Sequence, residues 1–279
     1  SMTRKVLSLF SALQRPAVFG MIHVPALPGT PSNTLKVPAI LDIVRKEAEI
    51  YSNSGVDGII VENMHDLPYV RADKIGPEIV SAMSMACSTV ASVCREGKKD
   101  MTLGVQILAG ANREAMAVAH ATGFDFIRAE CFVFSHVADE GWMDACAGDL
   151  LRYRKMIGAD DVAVFTDVKK KHCAHSVTSD VSLGETARAA QFFYADGVIL
   201  TGVATGAKAN STELKELIDA TSLPVLIGSG IDVWNVKEYK AAQGFIVGSS
   251  LKKNGDWRGE LCADKVKRLT HAVKRLGDY

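Results

Sequence analysis

The sequence predicts a single-domain (β/α)8 TIM barrel, and three observations carry that prediction. Eight apolar, β-branched runs of strand length recur along the 279 residues. Segments with helical spacing separate them, several ending in glycine as helix C-termini often do. The runs are continuously apolar rather than alternating, the mark of a parallel sheet covered on its outer face. Barrels of about 250 residues are routinely one domain. The main competitor, a doubly wound open sheet, would carry a Gly-rich turn after its first strand. Here that position reads His-Val-Pro-Ala-Leu-Pro-Gly, residues 23–29.

The elements follow in order. Residues 1–17 read as an amphipathic lead-in helix stopped by Pro16, and the barrel as about 18–277. The basic start could mimic a short targeting peptide, but the amphipathic helix is the stronger reading. Strands are expected at 18–24, 57–63, 101–108, 124–130, 161–169, 196–202, 224–230 and 244–250. Helical spacing covers 39–55, 77–97, 113–123, 148–159 and 212–222, and a further helix is expected between the last two strands. The 18-residue stretch 131–148 is long for a barrel connection and reads as a lid-like loop. In it Phe132, Phe134 and Trp142 would cover a site that Asp139-Glu140-Gly141 shapes.

Composition narrows the function classes. The chain has 32 Lys+Arg and 32 Asp+Glu, a formal net charge of zero. That argues against a broad electrostatic grip on nucleic acid or on an anionic membrane. No apolar stretch suggests a bilayer span of roughly 18–20 residues. The six cysteines form no C-x-x-C pair and sit in apolar patterns, which suits reduced thiols and a cytoplasmic location. Barrels of this kind often associate, so a homo-oligomer is expected by analogy.

A TIM barrel carries its active site at the C-terminal strand ends. Those ends hold His23, Glu62, Asn63, Gln106, Arg128, Glu130, Asp167, Thr201 and Thr205. Side chains alternate along a strand, so Arg128 and Glu130 share one face, and Asp167 and Lys169 another. Glu62, Glu130 and Asp167 are candidates for acid/base work or for a hard divalent metal. Structural ion pairs, Glu130 with Arg128 and Asp167 with Lys169, are the plainer alternative. His23 would serve as base or ligand, with Lys171 and His172 assisting; a solvated basic loop is the alternative for the last two. Strands seven and eight end in Gly228-Ser229-Gly230 and Gly248-Ser249-Ser250. Glycine lets backbone approach a ligand, and a following helix N-terminus favours an anion. Barrels often bind phosphate at these two loops. The alternative is a pair of tight turns.

Several stretches together resemble the BtpA family: GMIHVPALPG (20–29), GVDGIIVENMHDLPY (55–69), FIRAE (126–130), VADEG (137–141), KKKH (169–172) and LTGVATG (200–206), with IGSG and IVGSS. The resemblance runs from about Phe19 to about Lys253. It implies a barrel of the ribulose-phosphate-binding type, without a settled reaction. A role in photosystem I accumulation is attributed to cyanobacterial members. Bacterial members tend to have Asn near the position of Glu130, and Asp-Gln-Gly where this chain has Asp139-Glu140-Gly141, so the site charge differs here. The expectation is an enzyme acting on a phosphorylated small molecule, sugar- or nucleotide-like, by lyase, isomerase or hydrolase chemistry. The alternatives are a non-catalytic assembly factor and a flavin-phosphate binder.

Overall fold

The computed structural model describes residues 4–170, 172–202 and 205–278. Eight parallel strands close into a barrel: β1 (Ala17–His23), β2 (Gly58–Glu62), β3 (Thr102–Gln106), β4 (Phe126–Ala129), β7 (Ala163–Asp167), β8 (Gly197–Leu200), β9 (Val225–Ile227) and β10 (Gly244–Val247). The last strand pairs with the first, Ala17 opposite Gly244. The remaining two strands, β5 (His136–Ala138) and β6 (Gly141–Met143), form an antiparallel hairpin in the connection after β4. Each barrel strand lies within its expected stretch or one residue before it. Most stop short of the expected end, and the leftover residues form the mouth.

The helices α2 (Val37–Ser52), α3 (Pro77–Glu96), α4 (Asn112–Thr122), α5 (Ala147–Met156), α6 (Leu183–Phe192), α7 (Ser211–Ala220) and α8 (Ala263–Lys274) cover the outside. Their apolar faces and the outward strand residues make one large core. The expected helix between β9 and β10 is absent among the described residues. Turns with i to i+3 bonds run there instead, as from Glu238 N–H to Asn235 O, and Tyr239 anchors them by donating to Ala209 O at 2.6 Å. The 20-residue α3 is long and apolar enough to cross a membrane by length and composition, which the sequence reading overlooked. It packs one face, including Met83, Ala86, Cys87 and Val90, into the core at 0% exposure, as a core helix does. All six cysteines are free thiols.

The barrel interior is a second, separate core. Phe19, Phe126 and Phe165 fill it edge to face, with centroids 5.4 and 5.6 Å apart. Glycines on the neighbouring strands make room for them. A Cβ on Gly104 would lie 2.3 Å from the Phe126 ring, and one on Gly197 2.0 Å from Phe165. Helix α1 (Lys5–Ala12) plugs the N-terminal end, where Val6 is fully buried and Phe10 stacks edge-on against Phe19 and Phe165. The opposite end is open.

Candidate functional site

At the last inward position of every strand the barrel interior changes character. His23, Glu62 and Gln106 lie side by side, His23 opposite Glu62 and Glu62 opposite Gln106. Arg128, Thr201, Gly228 and Gly248 continue the ring around a mouth cavity of about 320 Å³, and Glu130 overhangs it. Asp167 completes the ring through Arg128.

Two buried ion pairs dominate the β4–β7 quarter. The Arg128 guanidinium forks onto Asp167, Nε to Oδ2 at 3.1 Å and Nη2 to Oδ1 at 2.8 Å. Both partners are desolvated, and such bidentate pairs fix geometry strongly. Glu130 accepts from Lys170 Nζ at 2.5 Å and from Gly110 N–H at 2.9 Å. Burial disfavours the Lys170 ammonium, but the Glu130 charge and hydrogen bond outweigh it and raise its pKa. The pairs expected from sequence, Glu130 with Arg128 and Asp167 with Lys169, are therefore exchanged. Lys169 adopts a left-handed backbone, φ 43°, and donates to Thr178 O. That residue breaks the alternation after Asp167 and delivers Lys170 to the mouth instead. Lys171 lies outside the described residues. His172, also left-handed at φ 66°, lines the cavity, as do Thr201 and Thr205.

Glu62 is the unpaired carboxyl of the layer. Burial pushes it up to about 7; Arg128 pulls it down, while Glu130 and Asp167 push it further up. Its nearest basic neighbour is His23 Nε2 at 3.7 Å. His23 is pushed down to about 3 by burial and by the nearby Lys252 charge. It is therefore a neutral imidazole at physiological pH. Sequence reading missed what surrounds it. Lys252 is 1% exposed and pairs with Glu47 at 3.1 Å, and the Trp257 ring packs against His23 and His65 with centroids 5.9 and 4.7 Å apart. Lys252 and Trp257 arrive from the segment after β10, and no local pattern announces them.

The six glycines and serines after β9 and β10 all line the cavity. Their close approach is required first by protein. A Cβ on Gly228 would sit 2.6 Å from Ile199 Cγ2 and 3.1 Å from Arg128 Nη2, and one on Gly248 3.1 Å from His23 Cε1. The Ser229 hydroxyl accepts from Gly202 N–H at 2.6 Å and donates to Ala207 O, tying the neighbouring loop. Gly230 is left-handed at φ 73° and lies against the same Ala207. Ser250 donates to Ile231 O. The expected helix N-termini behind this wall are missing: turns follow β9, and a three-residue 3-10 turn, Ser249–Leu251, follows β10.

Other expectations need correction. Phe132 is buried at 1% in the outer core, and neither Phe134 nor Trp142 borders the cavity. The β5–β6 hairpin instead offers Ala138, Asp139 and Glu140 to the rim. Asn63 turns away from the cavity; it accepts from Leu108 N–H at 2.7 Å and donates to Asp66 at 2.9 Å, bracing two loops. The three candidate metal carboxylates do not form a ligand set. Asp167 and Glu130 are spent on Arg128, Lys170 and Gly110, and no metal-competent group of three or more His, Cys, Asp or Glu occurs among the described residues.

Fold and mouth define a (β/α)8 barrel plugged at its N-terminal end and polar and open at the other. The BtpA family model matches residues 14–275, and the chain belongs to the BtpA family. An uncharacterised Caenorhabditis elegans protein, named as mitochondrial, is 55% identical over 273 residues, covering 98% of both chains. The Photosystem I biogenesis protein BtpA of Synechocystis is 33% identical over 270 residues, covering 96% of this chain and 91% of that one. Among solved structures, thiamine phosphate pyrophosphorylase from Pyrococcus furiosus superposes with a TM-score of 0.59 at 14% identity, over 94% of this chain and 97% of that one. That likeness is one of fold.

Proposed function

We propose that the protein is an enzyme acting on a phosphorylated small molecule held at the C-terminal mouth of the barrel. The carrying observation is Glu62, a buried carboxyl whose one ion-pair neighbour among the described residues is the neutral His23 at 3.7 Å, and which burial pushes up to about 7. A pKa near the working pH is what proton transfer needs. Glu62 would move the proton, and Arg128 and Lys170, locked by Asp167 and Glu130, would face developing negative charge without reorganising. Neutral His23 would donate or accept a hydrogen bond rather than carry charge. The Gly-Ser wall across the mouth is the place for the phosphate, in keeping with the phosphate named in the Pyrococcus furiosus thiamine phosphate pyrophosphorylase that shares the fold. Isomerase and lyase steps that begin by shifting a proton suit this set best.

The name of the cyanobacterial relative favours a second reading, a non-catalytic assembly factor. Exposed Phe192, Phe193 and Tyr194 at the end of α6 would suit a partner. The complete polar layer and open cavity support the enzyme.

The test is a thermal-shift screen of sugar phosphates and nucleotides, since a ligand that binds only the folded state raises Tm. At least one phosphate ester should raise Tm, and inorganic phosphate should compete with it. If no ester does so, the reading is wrong.

A further inference from the structure

Gln106 closes β3 at the cavity floor, 2% exposed, and its Oε1 is sealed from solvent with no donor in reach. No described residue bonds its amide nitrogen. A buried amide oxygen left unpaired is destabilising. The unbonded amide nitrogen is the group that a ligand entering the open cavity can pair. Glu62 lies next to it in register, about 4.8 Å away across the sheet.

The surroundings restrict what that ligand group is. Arg128 and Lys170 already have carboxylate partners. A phosphate or carboxylate at the floor would meet Glu62, Glu130 and Asp167, while the cations described beside them, Arg128 and Lys170, are already paired. An apolar group would leave the amide unpaired. A hydroxyl satisfies both neighbours. It accepts from the Gln106 amide nitrogen and donates to the Glu62 carboxylate.

We propose that Gln106 and Glu62 form a hydroxyl-reading subsite that selects the polyol part of the substrate, with Gln106 as the specificity-determining residue. The inference rests on the phosphorylated-ligand reading and narrows it to sugar phosphates, with the phosphate at the Gly-Ser wall and the hydroxyls on the β2–β3 floor. Nucleobases, which need a flat apolar slot, are disfavoured.

Titration calorimetry on the full chain tests this, using D-ribose 5-phosphate, D-ribulose 5-phosphate, D-glucose 6-phosphate, inorganic phosphate and ribitol. At least one sugar phosphate should bind tenfold or more tighter than inorganic phosphate. Gln106→Met, near-isosteric but without the amide, should reduce that advantage at least tenfold and leave inorganic phosphate binding unchanged. Gln106→Asn, which keeps the amide but draws it back, should do the same to a smaller extent, and serves if the Met variant does not fold. Sugar phosphates that bind no better than inorganic phosphate would overturn the subsite, as would variants that weaken both ligands equally. If ribitol binds in a Gln106-dependent way while nothing phosphorylated does, the subsite stands and the phosphate reading fails. If nothing binds, both fail.

Discussion

The two ends of the barrel interior are built from the same strands and differ by one step of alternation. Below, Met21, Ile60, Phe126, Phe165, Ile199, Leu226 and Ile246 form a dry core sealed by α1. Two residues further on, the same strands carry His23, Glu62, Arg128, Asp167, Thr201, Gly228 and Gly248. β3 follows suit, from Gly104 to Gln106. The change is staggered around the barrel: His23, Glu62 and Gln106 face one another, whereas Arg128 faces Phe165 and Asp167 faces Ile199. Apolar packing would stabilise the upper layer more readily than ionisable groups, which are costly to bury. The lower layer is thus the part organised for stability, and the upper layer the part organised for chemistry.

Substitutions at the two ends should separate these roles. The largest effect is expected from Phe126→Ala, which empties the centre of the lower core and should cost about 3–5 kcal/mol in denaturant unfolding. Ligand affinity of its folded fraction should not change. Glu62→Gln should do the reverse, lowering turnover by about 10²–10⁴-fold with stability at neutral pH unchanged or raised. Arg128→Ala crosses the boundary. It strands the Asp167 carboxylate in a buried site and should cost about 3–5 kcal/mol, whereas pairing Arg128→Met with Asp167→Leu should recover most of the stability and none of the activity.

The pH dependence of stability sharpens the contrast. Glu62 titrates at about 7 in the folded chain against 4.5 as its ordinary value. Between those values the folded state holds a proton that the unfolded state has lost. Stability contributed by Glu62 is therefore complete below about 4.5 and is lost as pH rises towards 7, by up to roughly 3 kcal/mol. Chemical denaturation across that range should show a falling component in the wild type that Glu62→Gln removes. The difference between the two proteins isolates it from His23, whose depressed pKa acts at lower pH and with opposite sign. Gly228→Ala should be milder, about 1–3 kcal/mol, from its clash with Ile199. It should also weaken ligand binding by moving Arg128.

Much of this was legible in the sequence because alternation is a local rule. It places His23, Glu62, Gln106, Arg128 and Asp167 inward once the strands are recognised, and strands with both faces buried are easy to recognise. What failed was whatever departs from that rule. The left-handed Lys169 exchanges which lysine enters the mouth and with which carboxylate it pairs. Asn63 lies one residue past β2, so it faces the loops rather than the cavity. The turns after β9 use short-range bonds that helical spacing does not distinguish from a helix. Lys252 and Trp257 reach His23 only through tertiary packing. The Gly-Ser clusters read as anion cradles, yet Gly228 and Gly248 are small first because Ile199 and His23 need the space.

Glu62 should hold an exchangeable proton near neutrality at a ligand-binding floor. The direct measurement is the carboxyl titration of Glu62 by ¹³C NMR of glutamate-labelled protein, assigned by its loss in Glu62→Gln, with and without a bound sugar phosphate. The midpoint should lie at about 7 in the free protein and shift when the ligand binds. A midpoint at the ordinary glutamate value of about 4.3, indifferent to ligand, would contradict it.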